Sequence, residues 1–271
     1  MVEFATKKRL IMKAVFFDID GTLLDFFNYI PQSTKDGIKA LRANGHKAYL
    51  CTGRSRGFVV NKELLSIGWD GIVCSCGAHV ENNGKIIYQH IVDPTNFNDD
   101  IEWMRSIGYK PILEGPTTLY FDLEDFPMDN KYGNRLRGDL GNDIPFIRGN
   151  EGKWVFNKFS VDTENTSQQL GIDHFAKDWD AIIHSETVME FVPKGHTKAT
   201  GMKVVCDDLG ITMADTIAFG DSPNDLDMLR EAGFSVCMGN GTDDAKAASD
   251  YVTTGIMDDG IYNGLKYLKL I

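Results

Sequence analysis

The stretch Lys13-Ala-Val-Phe-Phe-Asp18-Ile-Asp20-Gly21-Thr22 decides how this chain folds. Its run of β-branched and aromatic residues ends in two acids and a glycine, the pattern of a strand buried on both faces. Downstream, Ser33 is placed to cap a helix over 34–43, which turns Ile38 and Leu41 to one side and stops at Gly45. A second strand over 46–51 runs into Thr52-Gly53-Arg54, a helix is expected over 55–66, and a third strand over 71–74. Strand and helix alternating at this spacing make a parallel sheet with right-handed crossovers.

The rhythm then changes. Residues 78–81 and 85–88 flank Asn82-Asn83-Gly84, and Asn-Gly favours a tight turn between antiparallel strands. From about residue 94 to 190, helices mix with strands expected over 118–123, 153–161 and 181–185. Alternation resumes with a helix from Thr197 to Leu209, a strand over 215–219, and Gly220-Asp221-Ser222-Pro223-Asn224-Asp225 opening the next helix. Strands over 234–238 and 251–253 enclose a last short helix over 243–248. The expected fold class is α/β: a Rossmann-like doubly wound parallel sheet core built by 1–82 and 191–271, with an α+β domain inserted over 83–190. Residues 1–11 carry Lys7, Lys8 and Arg9 with no long apolar stretch behind them, so a loose extension is expected rather than a secretory leader.

The bulk numbers narrow the function classes. A net charge of −11 over 271 residues argues against a general nucleic-acid surface. No apolar run is long enough for a membrane span. A small anionic ligand stays compatible, because a bound metal and one or two fixed cations outweigh a distant negative surface. The five cysteines show no paired spacing and read as reduced core thiols of a cytoplasmic protein.

Chemistry concentrates at strand ends. Asp18 and Asp20 lie two apart, so both side chains leave the strand on the same side, at the carboxyl end where open α/β sheets bind ligands. Paired carboxylates there repel unless a cation is present, and magnesium takes oxygen ligands of this kind. Asp221 ends another strand. Asn224 and Asp225 follow it, placed either to orient a metal shell or simply to cap a helix. Thr52 offers a hydroxyl, Gly53 a closely approachable N–H, and Lys198 a point charge to a phosphate group.

In sequence order, Asp18-x-Asp-Gly-Thr-Leu, Thr52, Lys198 and Gly220-Asp-Ser-x-Asn-Asp-x-x-Met-Leu resemble the four motifs of the haloacid dehalogenase superfamily. Over 13–271 the chain is similar to the Cof-type sugar-phosphate phosphatases, which carry a large α+β cap of the C2 type between motifs two and three. The resemblance implies Asp18 as nucleophile and magnesium ligand, and Asp20 as general acid/base that also binds magnesium through its backbone carbonyl. It implies Thr52, Gly53 and Lys198 as the phosphate-binding group, Asp221 as the remaining metal carboxylate, and Asn224 and Asp225 as its supports. A monomer or weak homodimer acting on small phosphorylated metabolites is expected. A phosphomutase or phosphotransferase using the same intermediate is the nearest alternative, followed by a non-catalytic phosphometabolite sensor. Cys76-Gly77-Ala78 stands where such proteins commonly have Asn-Gly-Ala. In the inserted domain, Lys158 and Glu190 are able to face the cleft but read better as solvated strand residues, and Trp103, Trp154 and Trp179 read as core. Beyond it, His196 lies near Lys198 and within reach of a substrate but reads better as a loop histidine.

Overall fold

The computed structural model describes residues 12–127, 130–141 and 144–271. The expected extension at residues 1–11 lies outside them. The first segment lays down β1 (Ala14–Phe17), α1 (Gln32–Ala43), β2 (Lys47–Cys51), α2 (Lys62–Ser66), β3 (Gly71–Cys74), β4 (His79–Asn82) and β5 (Lys85–Gln89). The middle of the chain contributes α3 (Phe97–Ser106), β6 (Lys110–Glu114), β7 (Leu119–Tyr120), α4 (Lys131–Leu140), β8 (Lys158–Asp162), α5 (Gln168–Phe175), β9 (Trp179–Ile183) and β10 (Val188–Pro193). The last part supplies α6 (Lys198–Leu209), β11 (Thr216–Gly220), α7 (Leu226–Glu231), β12 (Phe234–Cys237), α8 (Asp243–Ala247), β13 (Tyr251–Val252) and α9 (Gly260–Tyr267).

These elements form an eight-stranded sheet, ordered β13-β12-β11-β1-β2-β3-β4-β5, and a five-stranded sheet, ordered β7-β6-β8-β10-β9. β1 sits between β2 and β11 with parallel pairing on both sides. Its residues alternate between two apolar clusters: Val15 and Phe17 join Ile38, Leu41, Ile261 and Leu265 on one face, while Ala14 and Phe16 join Met202 and Val205 on the other. That double burial is why the strand reads as one continuous apolar run. The Asn82-Asn83-Gly84 turn is as expected, with Asn83 at φ 49° and Gly84 at φ 73° between antiparallel strands.

Several local expectations shift. Ser33 does not cap α1: Pro31 holds that position at φ −56°, and its carbonyl accepts from Thr34 and Lys35. The helix expected over 55–66 is broken into a single 3₁₀ turn at Arg56–Phe58 and the short α2. Loop 115–118 of the inserted part is docked against Gly57, whose absent Cβ would stand 2.4 Å from the Thr118 nitrogen. Asn61 then starts α2 afresh by accepting from Leu64 N at 3.0 Å. By sheet membership, β5 belongs with the core strands and β10 with the inserted sheet. The chain therefore passes between sheets after Gln89 and after Pro193, later than the 82/83 and 190/191 boundaries expected from sequence.

The five-stranded sheet has two unlike faces. Phe159, Val161, Met189, Phe191 and Leu113 point to an apolar cluster with Phe97, Trp154 and Phe175, against which Trp103 and Trp179 pack. In the register, Glu114 opposes Lys158 and Ser160 opposes Glu190. Alternation puts those polar residues together on the other face.

Candidate active site

The carboxyl ends of β1, β2 and β11 and the start of α6 converge. Asp18 follows β1, and its N–H donates to Phe219 O on β11 at 3.0 Å. Lys198 opens α6 behind a Thr197 capping box and is buried. Its Nζ donates to Asp18 Oδ1 at 2.6 Å and to Asp225 Oδ1 at 2.5 Å, with Asn224 Oδ1 at 3.5 Å. Burial alone would push the lysine toward its neutral form, but Asp18 and Asp225 raise its pKa well above the ordinary value. Burial and the nearby Asp225 push the Asp18 carboxyl well up, against the pull of Lys198.

Asp225 is an organising group. Its Oδ2 accepts from the backbone N–H of Asp221 at 2.9 Å and of Ser222 at 3.0 Å. Gly220 makes room for it, since a Cβ there would meet the Asp225 carboxylate at 2.7 Å. Asp221 Oδ1 accepts from Thr22 Oγ1 at 2.7 Å, and its Oδ2 would lie 2.2 Å from a Cβ on Gly21, which has φ +85°. The Asp-Gly-Thr sequence thus serves two ends: glycine clears space for Asp221, and threonine holds it.

Oxygens of Asp18, Asp221 and Asp225 lie within 4.8 Å of one another. Three buried or half-buried carboxylates facing one lysine leave surplus negative charge, and hard oxygen donors suit a magnesium ion. Both Asp225 oxygens are already engaged, whereas Asp18 Oδ2 and Asp221 Oδ2 accept no hydrogen bond among the described residues. The donor set therefore fits an ion held by Asp18 and Asp221 and braced by Asp225. The Asp20 carbonyl likewise accepts none among the described residues, while its side chain turns away to a two-pronged pair with Arg54. Burial would raise the Asp20 pKa, but the Arg54 hydrogen bonds and charge hold it below the usual value.

A cavity of about 420 Å³ opens above these groups, lined by Asp18, Asp20, Thr52 and Gly53 below. Thr52 is buried, and its Oγ1 accepts from Arg54 N at 3.1 Å. The roof comes from the polar face of the inserted sheet: Lys158 Nζ lies 3.0 Å from Glu114 and 2.7 Å from Glu190, all three buried. His184 Nε2 lies 3.1 Å from the same Glu190 oxygen. Lys158 and Glu190 are thus not solvated, contrary to the sequence reading, because the far side of their sheet faces the core. Arg54 and Glu114 were missed by motif reading, and Lys158 and Glu190 were set aside as solvated. The signals available were an arginine directly past Thr52-Gly53 and acids and a lysine recurring on paired strands. Cys76, at φ 49°, sets its Sγ 3.6 Å from Glu190 Oε1.

A family model described as haloacid dehalogenase-like hydrolase matches residues 15–265. A Bacillus subtilis (strain 168) protein named "Putative phosphatase YkrA" is 30% identical, covering 96% of this chain and 98% of its own length. The 5-amino-6-(5-phospho-D-ribitylamino)uracil phosphatase YitU of the same organism is 29% identical over 92% of this chain and 94% of its own. A solved structure described as the HAD subclass IIB sugar phosphatase BT4131 superposes with a TM-score of 0.81 at 26% identity, covering 96% of this chain and 100% of that one.

Proposed function

The chain belongs to the haloacid dehalogenase-like hydrolases and is a phosphatase; on that premise we propose that it hydrolyses small phosphate monoesters, sugar phosphates foremost, with magnesium and through a phosphoaspartate on Asp18. The observation that carries this reading is the Lys198 bridge from Asp18 to Asp225 at the floor of the cavity. Asp18 attacks phosphorus in line, the ester P–O bond breaks, and the departing oxygen takes a proton from Asp20, whose carboxyl must first leave its Arg54 pair and take that proton up. Asp20 then draws a proton from water, which attacks the acyl phosphate, releasing inorganic phosphate and restoring Asp18. Thr52, the Gly53 N–H and Lys198 hold the phosphoryl oxygens as charge spreads over them. Magnesium, when bound, supplies further positive charge against those oxygens.

YitU and BT4131 are named for substrates that carry phosphate on a polyhydroxylated chain, which supports the sugar-phosphate assignment. Five free, buried cysteines support a reducing, cytoplasmic setting, and no helix among the described residues is long and apolar enough to cross a membrane. The test is hydrolysis of a panel of sugar phosphates, nucleotides and pyridoxal phosphate. Activity is expected to vanish in excess EDTA and return with magnesium. Metal-independent rates contradict the ligand set, and an isomeric sugar phosphate in place of free phosphate contradicts hydrolysis.

A further inference from the structure

The roof of the cavity carries a charge pattern that phosphoryl transfer itself does not use. Lys158 is held between Glu114 and Glu190, and the two acids together carry one more charge than the lysine balances. Glu190 Oε2 is filled by Lys158 at 2.7 Å and His184 at 3.1 Å. Among the described residues Glu190 Oε1 has only the Cys76 thiol at 3.6 Å, a weak donor, and it stands 3.8 Å from where a Gly53 Cβ would be. An under-used acceptor oxygen thus hangs directly over the loop assigned to phosphate. Arg54, which lines the same cavity, has its fork closed on Asp20. Arg135 is half exposed and lies 3.7 Å from the same aspartate.

We propose that Glu190, anchored by Lys158 and His184, selects the leaving group: the cavity takes phosphate esters bearing a hydroxyl close to the ester oxygen and rejects those bearing a carboxylate there. This rests on the phosphatase reading above. A hydroxyl donates to Glu190 Oε1 and supplies the partner that the thiol does not. A carboxylate in the same place meets a like charge in a space screened poorly by water. Cys76 leaves the acceptor open, since an amide side chain in that position has a stronger donor to offer it.

The test compares two esters of equal length, 2-hydroxyethyl phosphate and phosphoglycolate, on the full chain with magnesium, and p-nitrophenyl phosphate as an independent reporter. The expected kcat/KM ratio is about 100-fold in favour of the hydroxyl ester, and Glu190→Gln, checked for a native melting transition, is expected to lower it about tenfold by removing the repelling charge. A ratio near one with p-nitrophenyl phosphate still cleaved overturns this inference and leaves the phosphatase reading standing. A folded Glu190→Gln protein that keeps the full ratio also overturns it. If no ester is cleaved, p-nitrophenyl phosphate included, the phosphatase reading fails and takes the inference with it. Should Glu190→Gln not fold, the wild-type ratio decides alone.

Discussion

The Lys198 ammonium lies 2.6 Å from the Asp18 carboxylate across 180 residues of sequence, and both groups are buried. Removing the cation strands Asp18 and Asp225 against each other. Lys198→Met is expected to lose about 10²–10³-fold in kcat and about 3 kcal/mol of stability. Steady-state kinetics with a denaturant melt check this; a variant matching the wild type in both would show that the bridge is incidental.

Asp18→Asn removes the proposed nucleophile while nearly preserving shape. Turnover is expected to vanish with the circular dichroism spectrum unchanged, and no phosphorylated protein should appear on rapid acid quench. Residual activity well above the buffer rate would remove Asp18 from its role.

Asp221 gives a pH signature. Burial first, and Asp225 second, push its carboxyl up from 3.8 to about 7. A carboxyl whose folded pKa lies above its unfolded value holds its proton more tightly in the native state. Its contribution to stability is complete below about pH 4 and is lost as pH rises through about 7. Metal-free protein should therefore melt at lower temperature at about pH 8 than at about pH 5.5, with a smaller difference in Asp221→Asn. Magnesium should recover the loss at the higher pH. A pH response identical in the two proteins would rule this origin out.

Gly21 and Gly84 form a matched pair. Both have positive φ, but a Cβ on Gly21 meets Asp221 at 2.2 Å whereas one on Gly84 meets nothing within 4 Å. Both alanine variants should lose about 1 kcal/mol through backbone strain. Only Gly21→Ala should also lose magnesium-supported activity. Equal activity losses would mean that Gly21 is needed for its turn alone.

All five cysteines are buried and free. Burial pushes the thiols up, to about 11 for Cys206 and Cys237, and higher for Cys51, Cys74 and Cys76. Thiolate is the reactive form, so native protein should resist alkylation by iodoacetamide and keep its activity, with all five sites labelled only in denaturant. Rapid native labelling of Cys76 would show that the cavity roof opens readily.

The core was legible because its strands announce themselves: β1 must be apolar on both faces, and the residues proposed to do chemistry sit where each such run stops. Asp18, Thr52 and Asp221 could be placed from this alone. Lys198 was a weaker candidate until the resemblance was seen, since a lysine opening a helix is ordinarily a solvated one. The roof was harder. Glu114, Lys158 and Glu190 lie on strands whose buried polar face looks, in sequence, the same as a face turned to water. Only the pairing register and the presence of the core beneath distinguish them. Ser33 misled because a serine before a helix is a good cap in isolation, and Pro31 two residues earlier had already fixed the start.

The double passage of the chain between sheets has a mechanical effect. Joined at two places, the upper sheet is more constrained relative to the core than it would be on a single tether. Glu190 rides on β10, and Lys198 begins α6 only eight positions further along. On the proposed roles, the residue that sorts leaving groups and the amine that holds phosphate therefore share one short stretch of chain, so a shift of either is passed along it to the other.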